Sequence, residues 1–541
     1  MSLLQARPGP PGVTAGIRWH YSESGFDLLQ SASLDLDALV QSGRATLVKQ
    51  NLFRRVYQAD LGDVRVYWKQ CRITTPRTWL RQCIRAPKAK LEFDRALELA
   101  RRGIGTIEPL AWGSRRGLIG DSYLITRELT NAVPLSDLLN QPLKSSERRD
   151  LARQLGNFLA RVHQAGAVHP DLHPGNILVT HVAGGAFRFH LIDLHDITLG
   201  EPLDYAVSRD NLVILNRWFM LRSNRTDRLR FWRSYAAHRG WKVATAEREI
   251  EDRTRLSNLE FWRRRETRCL GTNRYFQKVL SPAVRGFAVR DVEGDLLAGL
   301  AADPDFPFRD PTSRMLKNSA TSTVIEMVVA TQDGSRTFIY KRFNLKKWFA
   351  ATANFYRSSA ARRSWRLGHT LRDRDLPTPR PIVMLHRRGW LGPREGYLLC
   401  EKIEAVSLTE AVEKATHQER GDLIDRLGRL LRRFHESGLK HRDLKAANLL
   451  VNDSGIHFID LVGVSRHSKV PFLRRVRDLA RLNGSFHQST QLSQTDKLRF
   501  LRAYLQWSLQ GSEGWKAWWT ALAAATREKI ARNQRTGRPL A

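Results

Sequence analysis

"GLKHRDLKAANLLVNDSGIHFIDLVG", residues 438–463, carries a His-Arg-Asp, an Asn five positions beyond the Asp, and a second Asp at the end of an apolar run. Two carboxylates and an amide at that spacing make a set of oxygen donors, and the set occurs twice. "GAVHPDLHPGNILV" begins at Gly166, 272 residues before Gly438, and "FHLIDLHD" follows it. The same 272 relates His163 to His435, Asp171 to Asp443, Asn176 to Asn448 and, far upstream, Lys69 in "VRVYWKQ" to Lys341 in "TFIYKRF". Downstream, "TDRLRFWRSY" from Thr226 and "TDKLRFLRAY" from Thr495 differ by 269. A shift held over so many residues marks two copies of one domain. "SPAVRGFAVRD", residues 281–291, echoes the N-terminal "PGVTAGIRWH", so the junction is expected near 279–290 and the domains at 1–278 and 279–541.

The bulk numbers agree with this division. A chain of 541 residues is too long for one ordinary core and suits two domains of about 250 residues. With 42% hydrophobic and 26% charged residues it has a globular composition. No run of eighteen apolar residues occurs, and "MSLLQARPGPPGVTAGIRW" lacks the apolar core of a secretory signal. The expected location is the cytoplasm, with room for peripheral contact at the inner face of a membrane. Cys71, Cys83, Cys269 and Cys400 form no CxxC pair, so neither a disulfide framework nor a zinc site is expected. The net charge of +35 implies attraction to polyanions such as nucleic acid, anionic lipid or phosphorylated glycolipid. No DNA- or RNA-reading module is recognisable, so no specific nucleic-acid partner is expected.

Each copy reads the same way. A strand carries the lysine, and a basic helix follows, at Pro87 to Arg102 and at about Ser358 to Asp373. A turn ("GIGTIEPLAWG" or "DLPTPRPIVML") leads to an apolar strand, "SYLITREL" or "GYLLCEKI". A long amphipathic helix then ends at "RVHQAG" or "RRFHESG", with Gly as its stop signal. Strands gathered before helices predict an α+β fold, with a β-rich lobe followed by a helical one. The Trp-rich "GWKAWWTALAAATREKIARNQR" reads as an interfacial segment or as packing for the helical lobe. "FWRRRETRCLGTNRYFQ", residues 261–277, reads as an anion grip or as an exposed connector.

Phosphoryl transfer needs a divalent metal, a cation on the phosphates and a carboxylate that orients the attacking hydroxyl. Mg²⁺ takes hard oxygen ligands, which an Asp carboxylate and an Asn carbonyl supply. In the second copy Asp443 is the candidate base, Asn448 and Asp460 the metal ligands, and Lys341 the phosphate cation. In the first copy Asp171, Asn176, Asp193 and Lys69 take those roles. His169 and His441 are expected to brace the loop by hydrogen bonds, and His163 and His435 to be structural. Lys445, two residues after Asp443, is a candidate phosphate contact, with His173 in its place in the first copy.

These residues, "HRDLKAANLLV" with "HFIDLVG" and "HPDLHPGNILV" with "FHLIDLHD", resemble the protein-kinase-like superfamily, and most closely its lipopolysaccharide kinase (Kdo/WaaP) branch. The resemblance covers nearly the whole chain as two units. It implies two tandem bilobal domains with ATP and Mg²⁺ in the cleft. It also implies transfer of the γ-phosphoryl to a sugar hydroxyl of the lipopolysaccharide core, with an anionic glycolipid or saccharide as partner.

The departures separate the copies. Neither has a GxGxxG loop; "VKQNLFRRVYQADLGD" and "LKNSATSTVIEMVVATQDG" stand there, so loop amides flanked by ordinary side chains are expected to hold the phosphates. Tyr67 and Ile339 replace the usual small residue two before the lysine, which predicts a narrower adenine pocket. Glu92 stands where a helix carboxylate should pair with Lys69, but the equivalent residue is Ser364, which predicts a Lys341 without an ion pair. Conversely, the first copy has Pro170 for the usual Arg and no glycine after Asp193, whereas the second keeps Gly463. Both copies are expected to bind nucleotide, with the first closer to full activity. A protein kinase is a weaker alternative, because neither copy has an Ala-Pro-Glu segment. A tandem in which one copy, the second before the first, serves as a nucleotide-binding regulator or scaffold is another.

Overall fold

The computed structural model describes the chain outside residues 1–12, 15, 31, 52, 75–78, 81–82, 116–119, 142, 183–184, 242–245, 332–333, 345–358, 390–391, 506–513 and 538–541. Most of the stretch read for a secretory signal, and the Ser358 start of the second basic helix, lie outside the described residues. Two compact units result, Met1–Ser257 and Asn258–Ala541. The division falls within the helix Ala246–Arg265, ahead of the boundary at 278 expected from the repeat.

In the first unit seven antiparallel strands form one sheet. Their order is Val13–Thr14, Ile17–Tyr21, Pro109–Arg115, Ser122–Arg127, Arg65–Cys71, Arg54–Asp60 and Ala45–Asn51. Alternation along the lysine strand decides its two faces. Val66 and Trp68 are fully buried with Trp19 and Ile125, and Trp68 meets Trp19 edge to face at 5.4 Å. Tyr67 and Lys69 therefore point to the other face.

On that other face lies the helix Lys88–Arg101, whose buried residues Ala89, Glu92, Phe93, Ala96 and Leu97 recur at helical spacing. Glu92 is carried on the apolar stripe, so helix packing alone aims it at the lysine strand. The basic helix expected at Pro87–Arg102 is this one, shorter by one residue at each end.

The helical lobe is built around Ser145–Gln164, which packs on Arg225–His238. Gly156 permits the crossing: a Cβ there would lie 2.4 Å from the Phe231 carbonyl oxygen. Leu155, Phe158 and Leu159 fill the core beside it.

The second unit repeats the plan. Its sheet runs Phe276–Leu280, Val284–Val289, Pro381–Gly389, Gly392–Glu401, Gly334–Phe343, Ser322–Thr331 and Arg314–Ser319. Its basic helix is Ala360–Asp373. The long helix His417–Glu436 crosses Gln494–Leu505 at Gly428, where a Cβ would stand 2.7 Å from the Phe500 carbonyl oxygen.

The two ambiguous segments resolve into packing. Trp518, in the helix Trp515–Thr536, meets Phe472 at 4.6 Å and Tyr504 at 5.4 Å, and Asn483 donates to Thr526 at 3.1 Å. In the arginine-rich stretch, Trp262 and Cys269 are buried, and the Cys269 carbonyl accepts the indole N–H of Trp365 at 2.9 Å. Glu266 pairs with the buried Arg374 at 3.3 Å and also with Arg466. The stretch is thus a structural part of the second unit rather than an exposed connector.

Candidate active site

The loop after the long helix is shaped by its histidine. His169 is buried; its Nε2–H donates to the Ile192 carbonyl at 3.1 Å, and its Nδ1 accepts the Asp171 N–H at 3.2 Å. Burial pushes its pKa down, so it stays neutral and fixes the backbone at Asp171. His441 does the same for Asp443, accepting its N–H at 3.0 Å. The bracing role expected for both histidines fits this geometry.

The amides close the loops. Asn176 Nδ2 donates to the Asp171 carbonyl at 2.9 Å, and Asn448 to the Asp443 carbonyl at 2.9 Å. The Asn176 carbonyl accepts the Ile192 N–H at 3.0 Å, and the Asn448 carbonyl that of Ile459 at 2.9 Å, bringing each amide beside the next Asp. With Nδ2 spent on the loop, each amide oxygen is left for another partner.

Asp193 and Asp460 both occupy the left-handed region, at φ 60° and 53°. Such a backbone costs about 1–3 kcal/mol for a residue other than Gly, and Asp tolerates it better than most. Its presence at the same register in both copies aims the carboxylate back at the lysine strand.

In the first unit five side chains meet. Lys69 Nζ lies 2.6 Å from Glu92 Oε2 and 3.1 Å from Asp193 Oδ1. Asp193 Oδ1 also accepts from Arg54 at 3.3 Å and from His195 Nδ1 at 3.0 Å. Burial alone would raise the Asp193 pKa, but the His195 hydrogen bond and the charges of Lys69 and Arg54 outweigh it and hold the carboxyl far below its usual range. Burial likewise opposes charge on Lys69, yet Glu92 and Asp193 leave its pKa raised. Glu92, Asp193 and His195 bring ligand atoms within 4.8 Å of one another, and Lys69 stands among them.

Asp171 itself is exposed. His173 Nε2, 3.6 Å from its Oδ2, is the main cause that holds its carboxyl below the ordinary range.

The second unit differs as its sequence implies, with one correction. Ser364 is buried at the register of Glu92. Lys341, however, is not without an ion pair: its Nζ lies 3.3 Å from Asp460 Oδ1 and 4.9 Å from the centroid of the Phe343 ring. The metal-ligand candidate has taken over the tether that a helix carboxylate would give.

Two residues escaped the sequence reading. Asn211 donates to the His169 carbonyl at 2.7 Å and lies 3.2 Å from His163 Nε2, while Tyr235 meets His163 Nδ1 at 2.8 Å. In the second unit Asp478 accepts the His441 N–H at 2.7 Å and faces His435 at 3.5 Å. Both anchor the loop to the helix that follows. The alignment of "DNLVILN" from Asp210 with "RDLARLN" from Arg477 carries the signal, since the shared asparagines, Asn216 and Asn483, bond Thr254 and Thr526 in parallel.

The model of the lipopolysaccharide kinase (Kdo/WaaP) family matches residues 44–235 and again 327–504. A 3-deoxy-D-manno-octulosonic acid kinase of Stenotrophomonas maltophilia (strain R551-3) is 35% identical over 147 residues, covering 26% of this chain and 57% of the relative. The protein of that name from strain K279a is 34% identical over 175 residues, covering 30% and 68%. One from Xanthomonas campestris pv. campestris (strain B100) is 43% identical over 126 residues, covering 22% and 47%. The chain thus spans about half to two thirds of the length of these curated relatives. Among solved structures, "WaaP in complex with acyl carrier protein" is 21% identical with a TM-score of 0.31, covering 44% of this chain and 99% of that one.

Proposed function

The chain belongs to the lipopolysaccharide kinase (Kdo/WaaP) family, and on that premise we propose that it transfers the γ-phosphoryl of ATP to a hydroxyl of a lipopolysaccharide-core sugar or a similar saccharide. The observation that carries this reading is the Lys69–Glu92–Asp193 cluster beside the Asp171–Asn176 loop. Lys69, fixed by Glu92, presents a charge to the nucleotide phosphates. Asn176 and Asp193 in the first unit, and Asn448 and Asp460 in the second, offer the hard oxygen donors that Mg²⁺ requires, and the spare amide oxygens fit that use. Bound Mg²⁺ would neutralise phosphate charge.

Asp171 orients the acceptor hydroxyl and takes up its proton. A carboxylate whose pKa lies low is a weak base, so orientation is the larger part of its role. Asp443 serves the second unit in the same way. The acceptor is an anionic glycolipid or its saccharide, drawn from the cytoplasmic face of the membrane by a chain of charge +35. Among the described residues no helix is long and apolar enough to cross a membrane.

The test is phosphorylation of a lipopolysaccharide-core acceptor by the full-length protein with Mg·ATP. Asp171→Ala combined with Asp443→Ala should abolish transfer; undiminished transfer would remove the assignment of the base. A second reading, a regulatory second domain, is favoured by Ser364 at the position of Glu92. It requires Asp171→Ala alone to abolish transfer and Asp443→Ala alone to spare most of it.

A further inference from the structure

We propose that Arg54 is a nucleotide-phosphate-binding residue of the first domain, replacing the backbone cradle that a glycine-rich loop would provide; this rests on the kinase reading above. The premise is the hairpin ahead of the lysine strand. Asn51 pairs with Arg54, so two residues join Ala45–Asn51 to Arg54–Asp60. In the second unit Ser319 pairs with Ser322, again across two residues. Leu52 and Phe53 stand between the first pair and Ala320 and Thr321 between the second, so neither turn carries a glycine. The phosphate contact that a glycine-rich loop would make is therefore open to a side chain.

Arg54 is placed to do so. It is the first residue after the turn, and its side chain reaches across to Asp193 at 3.3 Å. It is three-quarters covered, with 24% of its side chain exposed, unlike a solvated surface arginine. Its register partner on the lysine strand is Cys71, two residues beyond Lys69, so the two cations converge from adjacent strands.

Asp193 Oδ1 receives all three donors: Lys69, Arg54 and His195. A cation bound at Asp193 would compete with these donors for the carboxylate charge. Arg54, the longest of the three contacts, is the one to leave, and a planar guanidinium then meets phosphate oxygens in bidentate fashion. By strand register the second unit has Ser322 at this position, because Val56 faces Lys69 as Val324 faces Lys341. The device therefore belongs to the first domain alone.

Calorimetric titration of the full-length protein tests this, in a background of Lys341→Met and Asp460→Asn that reduces nucleotide binding at the second site. The probes are Mg·AMP-PNP, AMP-PNP with EDTA, and adenosine. Arg54→Ala should weaken Mg·AMP-PNP about 10- to 100-fold, the usual worth of a charge-assisted pair of bonds. It should weaken metal-free AMP-PNP by a similar factor and leave adenosine within about twofold. Arg54→Lys should fall between Ala and the parent. Unchanged Mg·AMP-PNP affinity overturns the proposal, as does a loss seen with magnesium alone, which would mean that Arg54 acts through Asp193. An equal loss for adenosine also overturns it, by showing a distorted cleft. A parent protein that binds none of the three probes would instead refute the kinase reading of the first domain.

Discussion

Glu92→Gln tests whether the helix carboxylate holds Lys69. The substitution keeps the shape and removes the charge of a side chain that is 5% exposed and 2.6 Å from Lys69 Nζ. Removing one partner of a buried pair typically costs about 3–5 kcal/mol. Here Asp193 remains 3.1 Å from the ammonium, so the expected loss is smaller, about 1–3 kcal/mol. For a unit of this size that corresponds to a fall of roughly 2–10 °C in the melting temperature of the first domain. Lys69 would also lose its fixed direction, and forfeiting about 1.5–3 kcal/mol of bonding to phosphate lowers kcat/KM by roughly 10- to 100-fold. Differential scanning calorimetry and initial rates of acceptor phosphorylation, both in an Asp443→Asn background, read the two effects separately. Glu92→Gln with the parent's melting profile and the parent's rate would refute the assignment of Glu92 as the tether.

Gly156→Val and Gly428→Val each push a side chain into a backbone carbonyl at a helix crossing, so each should cost about 1–3 kcal/mol or more and lower the melting of its own unit, as resolved by calorimetry. His163 is buried and burial lowers its pKa from 6.5 to about 4, so the unfolded chain binds the extra proton first. The stability it contributes is therefore complete above pH 6.5 and is lost as the pH falls toward 4, by about 3 kcal/mol. Urea unfolding across that range should show the decline, and His163→Gln should flatten it. Ser364→Glu places a carboxylate at the register of Glu92; it should draw Lys341 away from Asp460 and tighten Mg·ATP binding at the second site, measured by calorimetry in an Asp193→Asn background.

The duplication and the oxygen set were legible because identical residue types recur at one fixed spacing, from Lys69 and Lys341 through Asn176 and Asn448. Glu92 was legible because it stands on the helix where a carboxylate is expected to pair with Lys69, and the packing of that helix brings it there. Asn211 and Asp478 were not, because they lie on a following helix and differ in charge between copies. The alignment of their helices marks their place, but their role is set by backbone groups of the loop. The partner of Lys341 was misread for a related reason: loss of one carboxylate says nothing about whether a second lies within reach, and Asp460 does. Arg54 is not legible in the sequence, because its approach to Asp193 follows from strand register.

Glu266 precedes the repeat, yet it neutralises Arg374 at the end of the basic helix and Arg466 on the strand just after Asp460. A gene fragment begun at residue 279 would encode a second half stripped of that counter-charge, its buried Arg374 left without the Glu266 carboxylate. Homology alone therefore marks the wrong place to cut. A fragment that keeps Glu266 with the whole second unit begins no later than residue 258.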